Sequence, residues 1–133
     1  MTKHLLTTAI AASLFVISGA HAMSRDEYKA EKERIEADYK ASKAKCDALS
    51  GNAKDVCMKE AKGTENVAKA ELEEAYKPSE RHARNVEEEK AAARYNVAKE
   101  KCDDLKGDAK DACVNQAKAD RDSMKAHAKV TKR

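Results

Sequence analysis

Large apolar side chains are few along this chain, and they recur at helical spacing. Tyr28, Ile35, Tyr39, Cys46 and Leu49 follow one another at intervals of seven, four, seven and three, which sets them along one face of a helix. Tyr95, Cys102 and Leu105 stand in the same relation further on. Val56, Cys57, Ala61, Ala68, Leu72 and Ala75 line a second predicted helix, and Cys113, Ala117 and Met124 a fourth. The residues between them are mostly Ala, Lys, Glu and Arg, which are strong helix formers. Acid-before-base pairs such as Glu36 to Lys40, Asp55 to Lys59, Glu65 to Lys69 and Glu73 to Lys77 add about a few tenths of a kcal/mol each.

The ends of the predicted helices are marked by turn chemistry. In "LSGNAKD", Gly51 suits the left-handed residue after a helix C-terminus, Asn52 suits an N-cap, and Asp55 falls where its charge favours a new N-terminus. In "LKGDAKD" the same places hold Gly107, Asp108 and Asp111. Stop and start signals side by side describe a tight αα-hairpin turn. Pro78 gives a third boundary, since proline is best tolerated in a first helical turn. Four helices are expected, at about 25–49, 53–76, 78–105 and 109–129.

The pattern is used twice. At an offset of 56, Tyr39 matches Tyr95, Cys46 matches Cys102, Leu49 matches Leu105, Gly51 matches Gly107 and Cys57 matches Cys113, with further identities on both sides. The chain therefore reads as all-α: two tandem αα-hairpins, forming either a loosely packed bundle or an extended hairpin pair. The first hairpin is assigned to 23–77 and the second, with a basic tail carrying Lys125, Lys129, Lys132 and Arg133, to 78–133.

The first 22 residues read differently. Lys3 and His4 lead, an apolar run from Leu5 to about Ile17 follows, and Ala20-His21-Ala22 fits a small-x-small cleavage site. The run is shorter than the roughly 20 residues a membrane-crossing helix needs, so a secretory signal cut after Ala22 is expected, and with it a periplasmic chain with no transmembrane segment. Cleavage would leave 111 of the 133 residues, with 26 Lys+Arg against 24 Asp+Glu and a net charge near +2. The only phenylalanine, Phe15, would go with the signal, leaving four Tyr and no Trp. A core made mostly of alanine has little area to bury and encloses no sizeable pocket, which weighs against catalysis.

The chemistry-bearing residues are Cys46, Cys57, Cys102 and Cys113. If each Gly step is a turn, the two cysteines flanking it face each other near the bend, where the roughly 5.5 Å Cα separation of a disulfide is attainable. The expected bridges are Cys46 to Cys57 and Cys102 to Cys113, each closing a loop of 12 residues. If a helix instead ran unbroken through each Gly, the paired cysteines would share a face about 16 Å apart and bridge only to the other repeat. That arrangement is similar to the twin Cys-x9-Cys proteins, although ten residues separate the cysteines of this chain. Free or metal-bound thiols are the third possibility. They lack a Cys-x-x-Cys or His-x3-His spacing, and His82 and His127 lie outside the cysteine motif. No cofactor or metal is expected.

Alternating Lys and Glu with a small net charge argues for solvated helix faces rather than nucleic-acid binding, which wants a basic stripe with aromatic platforms. The motifs "EADYKASKAKCDALSGNAKDVCMKEAK" and "YNVAKEKCDDLKGDAKDACVNQAKA", with the leader, resemble small exported Lys/Ala/Glu-rich helical proteins of proteobacteria. Some of these carry a TolA-like label, which matches composition; the TolA role itself is not implied, because this chain lacks the single long helix of TolA. The resemblance implies export and supplies no catalytic or ligand residues. Three functions follow: a non-enzymatic periplasmic structural or interaction protein touching an envelope protein or surface, alone or as an oligomer; an acid-responsive stress chaperone; or a thiol or metal-handling protein.

Overall fold

A computed structural model describes residues 22–130. The predicted signal segment, apart from Ala22, and the last residues of the basic tail lie outside the described residues. Four helices account for the fold: α1 (Arg25–Cys46), α2 (Gly51–Tyr76), α3 (Glu80–Cys102) and α4 (Gly107–Val130). None is long and apolar enough to cross a membrane among the described residues.

Local signals set the ends. Ser24 caps α1 in a capping box: its hydroxyl accepts from the Glu27 amide at 3.2 Å, and the Glu27 carboxylate accepts from the Ser24 amide at 2.7 Å. Ser79 caps α3, accepting from the His82 amide at 3.1 Å. Pro78 therefore precedes the cap, and the third helix begins two residues later than expected, at Glu80.

The hairpin turns also differ from expectation in detail. The first and third helices stop at Cys46 and Cys102, three residues early, because the chain tightens into turns in which the Leu49 amide donates to the Cys46 carbonyl and the Leu105 amide to the Cys102 carbonyl, both at 3.0 Å. Gly51 and Gly107 do hold left-handed conformations, with φ of 58° and 57°, but they open the second helix of each hairpin. Asn52 is consequently not the N-cap: Ser50 occupies that position without a side-chain hydrogen bond, and Asn52 lies in the first turn of α2. Asp108 likewise lies inside the first turn of α4, where its charge still faces the helix N-terminus. Asp55 and Asp111, expected three residues after an N-cap, fall two residues further into their helices, past the first turn.

Among the described residues, each helix packs only on its neighbours in sequence: α1 on α2, α2 on α3, and α3 on α4. Angular positions explain this. At about 100° per residue, Gly63 and Ala70 lie on the side of α2 facing α3, while Ala61, Glu65 and Leu72 lie roughly opposite, facing α1. In α3, Ala93 faces α2, while Ala91 and Cys102 lie on the far side toward α4. Helices with two opposed contact stripes build a row, so the two hairpins form a layer one helix thick. Its buried side chains are mostly small, and the largest that are fully buried are Cys46 and Cys102.

Candidate functional site

Two features carry chemistry: the cysteine clasps at the turns and the groove between α2 and α3. Cys46 and Cys57 are bonded with a Cα separation of 5.5 Å, and Cys102 and Cys113 with one of 5.8 Å. Neither pairing crosses between hairpins, and no cysteine of the described residues is free. The bond lies between the last residue of one helix and the second turn of the next, so it fixes the angle at which the hairpin leaves its bend. Each turn carries a second fastening. Lys54 Nζ meets Asp47 Oδ1 at 3.0 Å, and Lys110 Nζ meets Asp103 Oδ1 at 2.7 Å. The Lys110 ammonium holds the Asp103 carboxyl below the usual carboxylate range. Sequence reasoning passed over these ion pairs, although the Asp and Lys recur in both copies seven residues apart.

The predicted core stripe divides in three. Ile35 is buried, as expected. Tyr28, Tyr39 and Tyr95 are half-buried and act through their polar ends and ring faces. The Tyr28 ring lies 4.5 Å from that of Tyr76, and its hydroxyl donates to the Glu73 carboxylate, which raises the Tyr28 pKa. Tyr39 lies under the ammonium groups of Lys43 and Lys62, at 5.5 and 5.3 Å, and Tyr95 under the Arg121 guanidinium at 4.6 Å. Leu49 and Leu105 do not join the core. They are 44% and 42% exposed, because the early helix stop moves them from the helix face into the turn.

Glu65 is a buried charge in α2 that no sequence pattern singled out beyond its pairing with Lys69. Burial pushes its carboxyl pKa up, but hydrogen bonds from Lys62 at 2.8 Å and Lys69 at 2.6 Å outweigh it and hold the pKa below the usual range. Lys62 reaches across to Tyr39 of α1, so this cluster ties α2 to α1 on one face of the layer.

The opposite face holds the groove. Gly63, Val67 and Ala68 of α2 and Ala93, Val97 and Ala98 of α3 form its floor, over a volume of about 580 Å³. Ion pairs close both ends: Lys101 Nζ to Glu60 at 3.5 Å and Lys90 Nζ to Glu71 at 3.2 Å. The hydrogen bond to Glu71 raises the Lys90 pKa, with a smaller contribution from Glu87. The result is an apolar trough with an acidic edge on α2 and a basic edge on α3. No group of three or more His, Cys, Asp and Glu among the described residues is arranged to hold a metal ion. Comparison of the chain with family models, with curated proteins and with solved structures returns no match.

Proposed function

We propose that this chain is a non-enzymatic, exported helical protein of the periplasm that works by presenting helix faces to another envelope component. The supporting observation is the layer itself: four helices held in a row by two clasps at the turns, with an apolar trough left open on one face. Disulfides form and persist in oxidising compartments, which suits export. A chain that spends its cysteines on fixing hairpin geometry, while its remaining side chains form two broad faces, is built to be touched. In-cell crosslinking with fractionation and peptide mapping tests the reading. Recovery from the periplasm, the two local disulfide peptides and reproducible links to one envelope component are expected; cytoplasmic retention, or links to no other envelope component, overturns it.

A second reading, the acid-responsive chaperone, draws on Glu65. Protonation of this buried carboxylate removes the acceptor of two lysines at the α1–α2 contact, and the loosened hairpin would expose apolar surface at low pH. Protection of an aggregating client at acid pH, absent at neutral pH, is its expected signature; equal protection by a helical control of matched charge overturns it. The thiol-handling reading would need reduced thiols, and all four of these are joined in pairs.

A further inference from the structure

The two faces of the layer are unequal. The side chains of α2 and α3 that point away from the trough include Lys62, Asn66, Lys69 and Asn96, a polar surface. The trough side carries Val67 and Val97, both half-buried, in a floor of alanine and glycine. A layer one helix thick buries one face of its apolar surface only when a second layer covers it. The charges along the trough say what that layer is.

The acidic edge, Glu60 and Glu71, lies entirely on α2, and the basic edge, Lys90, Arg94 and Lys101, entirely on α3. The two ion pairs join residues at matching heights along the antiparallel helices, Glu60 with Lys101 and Glu71 with Lys90. A two-fold axis lying between two such faces and parallel to the helices keeps every height unchanged and sets α2 of one copy over α3 of the other. Glu60 then faces the second copy's Lys101, and Glu71 faces its Lys90, so each end of the trough becomes a ring of four alternating charges. Arg94, whose guanidinium reaches the Met124 sulfur at 3.8 Å within one copy, comes within about one helical turn of the second copy's Glu71. Rotation about an axis across the helices instead places acid over acid and base over base. The charge pattern therefore favours one of the two face-to-face arrangements.

We infer that the chain forms a two-fold homodimer through this face, with α2 and α3 of both copies closing a four-helix core around Val67 and Val97. The surface is large enough. The face of α2 and α3, two helices roughly 10 Å apart and about 35 Å long, spans about 700 Å², within the range around ~800 Å² per partner of a standard specific interface. With the trough closed by a second copy, the envelope partner proposed above meets the outer helices or the polar face instead of the trough.

Sedimentation velocity on the oxidised, exported chain tests it, alongside three variants whose helicity is checked by circular dichroism. The wild type is expected at twice the chain mass at about 100 μM, and Val97→Arg to weaken association at least about tenfold. The Glu60→Lys/Glu71→Lys and Lys90→Glu/Lys101→Glu variants are each expected to be monomeric alone and to form a heterodimer when mixed, because each then supplies the edges the other lacks. A monomeric wild type overturns the inference, and so does a dimer indifferent to Val97→Arg or a mixture of the two charge variants that fails to associate. A monomer whose trough residues crosslink to another envelope protein in cells overturns the dimer and leaves the proposed function standing.

Discussion

Gly63 and Ala93 lie in close approach where the two hairpins meet: a Cβ on Gly63 would lie 2.8 Å from that of Ala93 and 3.4 Å from its Cα. A methyl group on one helix cannot rotate away from another methyl group and a backbone, so the helices themselves would have to part.

Gly63→Ala should therefore destabilise the fold although alanine is the better helix former. The propensity gain is about 1 kcal/mol and the cost of overpacking about 1–3 kcal/mol, so a net loss of about 1 kcal/mol is expected in urea unfolding. Adding Ala93→Gly should relieve the clash and recover part of the loss. A stabilised Gly63→Ala would mean that α2 and α3 pack less closely at this point.

Gly51 and Gly107 present the opposite case, for neither has an atom within 4 Å of a would-be Cβ. Their left-handed backbones alone make substitution costly. Gly51→Ala and Gly107→Ala should each lose about 1–2 kcal/mol, while the Asn variants should lose clearly less, since Asn visits this region with local hydrogen-bond support. Equal losses for Ala and Asn in thermal unfolding would count against the turn geometry.

The clasps should act separately. Each closes a short loop, and chain-entropy reasoning assigns about 3 kcal/mol to such a bridge. Cys46→Ser/Cys57→Ser and Cys102→Ser/Cys113→Ser should each lower stability by about that amount, and non-reducing peptide mapping of either should show the other bridge intact. Free thiols or peptides linked between two chains in the single-bridge variants would show that the turns do not hold the cysteines together unaided.

The helical content, the two bends and the cysteine partners were all legible in the sequence, because each rests on local chemistry: propensity, a glycine step, and an offset that sets two thiols opposite each other. The leucines were misplaced for a physical reason. The apolar period that includes Ile35 and Cys46 continues in register to Leu49, and no residue type before Gly51 announces that hydrogen bonds to the Cys46 carbonyl will already have turned the chain. Leu49→Ala and Leu105→Ala should accordingly change stability by less than about 0.5 kcal/mol, whereas Leu72→Ala, buried at the α1–α2 contact, should cost about 2–4 kcal/mol. The order of the helices in a row was not legible either. A period of apolar positions says that a helix has a contact face, and small residues such as Gly63 and Ala91 do not stand out as a second one. Gly63 itself was a usable signal, since an isolated glycine within a strong helical pattern often marks a close approach.

Glu65 contributes to the acid limb of stability. Hydrogen bonds from Lys62 and Lys69 hold its pKa in the folded chain below that of the unfolded chain, so its contribution is fully present above the unfolded value, near ~4.3, and is lost as pH falls through the folded value. Folding free energy should therefore drop with acidification below about pH 4.5. Glu65→Gln keeps the shape and an acceptor oxygen but removes the charge, leaving two lysines facing a neutral amide beside Tyr39. Its expected cost at neutral pH is about 1–2 kcal/mol, with a shallower acid limb than the wild type because one titrating group has been removed. The two effects must appear together in urea titrations across the pH range. A variant that keeps its stability at pH 7 and retains the full acid slope would place the acid sensitivity in the exposed carboxylates, and the α1–α2 contact would then hold through packing of Ile35 and Leu72 rather than through charge.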